Sequence, residues 1–156
     1  MITAGVDNFL QLESVLIDRL KTVLEPLTPR VGVFSAADIS GFKEASLPAP
    51  SVSLTYQGYR IDDSTRRDGL AVTVQQTWMV WVHVRNVATM QSGEKARNQA
   101  GELASHVLKA MMGFKPEEVN KPIVLTNSMP AQYSGGMLYL PLAFTSEIVI
   151  NNKDKP

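Results

Sequence analysis

Residues able to do chemistry are few in this chain. It has no cysteine, which removes disulfides, thiolate metal sites and thiol nucleophiles together, and only two histidines, His83 and His106. A metal site would need a third ligand, and no His-x-x-x-His spacing is present. His83 falls on the more polar face of a long strand pattern, beside Arg85. His106 falls off the apolar stripe of a helix and should be exposed, so both read as structural. Asp62 and Asp63 are adjacent, and neighbours in a turn or strand point apart, so they read as a solvated turn and not as an acid–base pair. Ser134-Gly135-Gly136 lacks the Gly-x-Ser-x-Gly frame of a nucleophile elbow, and neither phosphate-cradling glycine pattern occurs. Arg66 and Arg67 are the only adjacent arginines, and Asp62, Asp63 and Asp68 largely neutralise them. These residues imply no cofactor and no metal, and they argue against an enzyme.

Composition narrows the remaining classes. At 156 residues the chain fits one domain over 1–156, with about 152–156 as a frayed tail. A hydrophobic content of 44% with 19% charged residues is that of a globular protein, not a disordered one. Fifteen basic and fifteen acidic side chains cancel, so no global field draws the chain to nucleic acid or an anionic membrane. No stretch approaches the roughly 18 apolar residues of a bilayer span, and no signal peptide is evident. The expectation is a chain made and used in a cytoplasm.

The elements that must position any site follow from periodicity. Leu12, Leu16, Leu20, Val23 and Leu24 recur at helical spacing, predicting a helix over 7–25, capped by Asp7 or Asn8 and ended by Pro26 and Pro29. A short strand is expected over 31–34, followed by a long loop over 36–50. Val52, Leu54 and Tyr56 alternate with polar residues in the next strand, and Asp68-Gly69 turns the chain into a long strand over 70–85. Ala96, Ala100, Leu103, Ala104, Val107, Leu108 and Met111 predict a second helix over 93–112, with Ser92 as cap and Gly113 as stop. Strands are expected over 123–127 and 137–151, with a turn at Ser134-Gly135-Gly136 between them. Pro141 cannot donate to a ladder, so it marks an edge, a bulge or an outward-facing position. The fold class is α+β: an antiparallel or mixed sheet of about four to five strands flanked by two main helices, most simply on one face.

The long strand carries the most informative feature. Val72, Val74, Gln76, Trp78, Val80, Val82 and Val84 make one face, which is core. Met79 and Trp81 lie on the other. If both helices cover the valine face, these two are left for a partner surface; one helix on each face would bury them internally. Met79 and Trp81, with Phe42 in the long loop and Arg66 and Arg67 at the hairpin tip, form the candidate interface.

The order of elements resembles the tail terminator (tail completion) proteins of tailed bacteriophages, especially those of Mu-like phages and prophages. The resemblance rests on the helix around Ile17-Asp18-Arg19-Leu20-Lys21, the strand 50–59 and the aromatic-bearing strand 75–84 ending in Arg85-Asn86. It continues in the alanine-rich helix closing on Gly113-Phe114-Lys115-Pro116 and the last strand 137–150. It implies a virion protein forming a ring, usually hexameric, at the head-proximal end of the tail, which stops tube polymerisation and presents a head-attachment surface. Implied partners are further copies of the chain, the tail tube protein, the sheath protein of a contractile tail and neck proteins, with DNA only passing through. A neck or head–tail connector subunit, or a small ligand- or nucleic-acid-binding α+β module, are the alternatives.

Overall fold

The computed structural model describes residues 7–61, 69–86 and 90–152. In chain order these form α1 (Leu12–Leu24), β1 (Gly32–Ser35), α2 (Ala36–Ser40), a 3₁₀ turn (Glu44–Ser46), β2 (Ser51–Ile61) and β3 (Ala71–Arg85). Next come α3 (Met90–Met111), β4 (Val124–Thr126), β5 (Gln132–Ser134) and β6 (Met137–Asn151). The expected α+β class holds, with six strands among the described residues where four to five were expected.

The sheet is mixed. Its order is β1-β2-β3-β6-β4, with β5 also pairing to β6; β1 is parallel to β2 and every other pair is antiparallel. α1 buries Leu12, Leu16, Leu20 and Leu24, one residue per turn, against the face formed by Val74, Trp78, Val80, Val82 and Val84. Each such leucine contributes about 1.5–3 kcal/mol. Ala96, Ala100 and Ala104 let α3 approach the same core closely. Arg19 fastens the two helices, its Nε donating to Ala110 O at 2.9 Å and its guanidinium lying over the Phe114 ring at 4.8 Å. Both long helices therefore cover the valine face, the first of the two expected arrangements.

Local departures from the periodicity have backbone causes. The first helix starts at Leu12, not at residue 7, because Asn8 turns the chain instead of capping a helix. Its Oδ1 accepts from Leu10 N at 3.0 Å, and its carbonyl accepts from Gln11 N. The second helix starts at Met90, which puts Ser92 inside it and not at its cap. Gly113, at φ +78°, ends it as expected. The segment 36–50 is not a plain loop: Ser35 Oγ accepts from Asp38 N at 3.1 Å and caps α2. In β2, Gln57 and Gly58 oppose Thr77 alone, a bulge that Gly58 accommodates at φ +105°.

β4 and β5 are two pieces of one edge strand. β4 pairs with 143–145 of β6 and β5 with 137–139. Five residues, 127–131, bow out opposite the three between, and the middle one of those is Pro141. Proline has no N–H to give a ladder, so pairing breaks there and resumes beyond it. Gly135 and Gly136, at φ +56° and +75°, close the β5–β6 hairpin with the two-residue loop that such backbone angles permit.

Candidate functional site

With both long helices on one face, the opposite face of the sheet is left to short segments. Its side chains come in cross-strand rows. One row runs Phe34, Ser53, Trp81, Pro141; the next runs Gly32, Ser51, His83, Tyr139, Gln132; a third runs Thr55, Met79, Ala143, Thr126. The small hydroxyl residues of β2 leave room beside the indole. The result is a hollow of about 440 Å³ floored by Ser53, Thr55, Trp81 and His83 and walled by Ile39 and Gln132.

Its rim is held by charge-assisted contacts that bring the 36–50 segment back onto the sheet. Arg85 donates through Nη1 to Glu44 O at 3.2 Å, and through Nη2 to Ala45 O at 3.0 Å and Leu47 O at 2.6 Å. The Glu44 carboxylate accepts from Tyr139 Oη at 2.8 Å and sits so close to Gly135 that a β-carbon there would meet it at 2.6 Å. Burial, the hydrogen bond to Glu44 and its charge together push the Tyr139 phenol up to about 12. The 36–50 segment, expected as a long loop, is thereby folded down onto the sheet and clamped.

His83 is buried, with Nε2 and Ser53 Oγ sharing a hydrogen bond of 2.9 Å and its ring edge-on to Tyr139 at 5.3 Å. Desolvation lowers its pKa from 6.5 to about 4, so the ring is neutral at neutral pH. A base that weak, bonded to a serine only 2% exposed, is suited to packing and not to activating a nucleophile. His106 is half-buried instead of exposed, lining a small cleft with Gln99 and Glu102. Among the described residues no group of three His, Asp or Glu side chains is placed to hold a metal.

The proposed interface residues fare differently. Trp81 is half-buried on the hollow's floor, whereas Met79, in the same strand, is only 5% exposed and offers little surface to a partner. Phe42 is exposed, edge-on to Phe34 at 5.5 Å near the β1 edge, and Ser53 separates Phe34 from Trp81 in the same cross-strand row. Arg66 and Arg67 lie outside the described residues. Sequence reasoning missed Glu44 and Tyr139, which meet across 95 positions with no local signal. It also missed an exposed apolar strip, Val124, Leu125, Met129 and Tyr133, on the β4–β5 edge.

The family model described as "Phage tail terminator protein" matches residues 7–154, nearly the whole chain. The chain belongs to the phage tail terminator family. It is therefore a structural protein of the phage virion, and the family is not one of enzymes. The resemblance read from the order of elements is borne out at the level of the family; the match does not extend to the Mu-like type. Among solved structures the tail terminator chain is similar to one from "Virion of native gene transfer agent (GTA) particle". The two are 14% identical over 95% of this chain and 94% of that one, with a TM-score of 0.45, too low to carry an argument. Comparison with curated proteins finds no match.

Proposed function

We propose that this chain assembles as a closed ring, hexameric in the usual arrangement of its family, at the head-proximal end of the tail. There it stops tube polymerisation and offers a surface to the neck. The observation that carries the reading is the family match over 7–154, which spans every described element of the fold. Two features support it physically. One sheet face is left without a long helix across it, and apolar side chains stay exposed along the β4–β5 edge, as expected of a subunit finished by its neighbours. The ring's other partners in this reading are the tail tube protein below, a sheath protein if the tail contracts, and neck proteins above, with DNA passing through its channel. Balanced charge is compatible with that passage.

The test is deletion. Tails assembled without the protein should be irregular and overlong, and labelled protein should sit at the head-proximal end in electron micrographs. Tails of normal length without the protein would remove the terminator role. Label within the neck, above tails of normal length, would favour the connector alternative.

A further inference from the structure

The sheet ends in two short strands, each paired on one side only. Among the described residues, β1, four residues long, pairs with β2 alone, and β4, three residues long, pairs with β6 alone. Natural proteins blunt such edges, and this one does so along part of its length, where the 127–131 bow interrupts the ladder opposite Pro141. β4 itself is left bare. All three of its residues are exposed, with Val124 at 57% and Leu125 at 39%. At the opposite end of the sheet, a concavity of about 440 Å³ borders β1, lined by Lys21, Arg30, Phe34 and Pro48 among others. One edge thus exposes apolar side chains, and a concavity borders the other.

Strand direction decides how the two can meet. β1 runs with β2, against β3, with β6 and against β4, so β1 and β4 have opposite directions in one subunit. Rotation about an axis along the strands leaves those directions unchanged. Hence β4 of one copy meets β1 of the next as an antiparallel pair, the more favourable ladder. We infer that the ring closes by this pairing: β4 of each copy adds to β1 of its neighbour, and the sheet continues from subunit to subunit. The occupant of each edge is a second copy of this chain. The inference rests on the ring reading and specifies its contact. A two-fold β4–β4 contact would satisfy one edge and stop at a dimer, whereas the β4–β1 contact uses both edges and can close a cycle.

Because the chain has no cysteine, introduced thiols are the only ones. Phe34, Val124 and Thr126 project from the same face of the sheet. The double variants F34C/V124C and F34C/T126C cover the two registers that place these side chains opposite one another. Oxidised at high protein concentration or within purified tails, one of them should give a ladder of covalent multimers, and each single variant should give none. Dimers from V124C alone would replace the inference by a two-fold contact. Rings seen by electron microscopy with no ladder from either double variant would overturn the strand pairing and leave the ring intact. A chain that stays monomeric in both settings would overturn both. As a check independent of Phe34, V124K should keep the parent's melting temperature and lose the ring; rings unaffected by V124K would also overturn the pairing.

Discussion

Replacing His83 by glutamine should flatten the dependence of stability on acid. In the folded chain the imidazole is held neutral by burial, with its pKa lowered from 6.5 to about 4. The unfolded chain therefore binds more protons between those values. Stability from this group is complete above about pH 6.5 and is lost as pH falls towards 4, below which both states are protonated. The full difference is about 3 kcal/mol. Between pH 7.5 and pH 5, linkage with these two pKa values gives a loss of about 2 kcal/mol. For a chain of this length that corresponds to a fall of about 4–8 °C in melting temperature. Glutamine stays neutral throughout and can still reach Ser53. H83Q should therefore be less stable than the parent at pH 7.5, through imperfect packing, yet lose about 2 kcal/mol less on going to pH 5. Chemical denaturation at the two pH values measures this directly, and the parent–variant difference cancels the carboxylates common to both. Parallel pH profiles for H83Q and parent, or an NMR titration placing His83 near 6.5, would refute the burial argument.

The remaining predictions concern the clamp and the sheet. R85A removes three hydrogen bonds to the 44–47 backbone, two of them at exposed positions, and should cost about 2 kcal/mol. Limited proteolysis should then cut between residues 36 and 50, and a cleavage pattern like the parent's would show that the segment is held by other means. G135A forces a β-carbon at φ +56° and pushes the Glu44 carboxylate aside, at about 1–2 kcal/mol, with Tyr139 then ionising at lower pH in an absorbance titration. W78A empties the largest buried side chain beside Tyr56 and orphans Ser146 Oγ, and denaturation should report a loss of about 3–5 kcal/mol.

Local sequence was enough for the framework. The leucines of α1 and the alanines of α3 share one helical face each because α-helices repeat every 3.6 residues. The valines of β3 share a sheet face because strands repeat every two. Those periods depend on neighbours a few positions away, so the sequence shows them directly. Pro141 also announced a break in pairing, and Gly135-Gly136 announced the hairpin. Tertiary structure alone decided which side of the sheet the helices took, and how much surface the short segments on the other side left to Met79 and Trp81. Only it joined Arg85 to the 44–47 backbone and Glu44 to Tyr139, and only it set β1 and β4 at opposite ends of one sheet with opposed directions. These depend on contacts between residues tens of positions apart, where closing the chain costs entropy that only the assembled core repays. No local pattern encodes them.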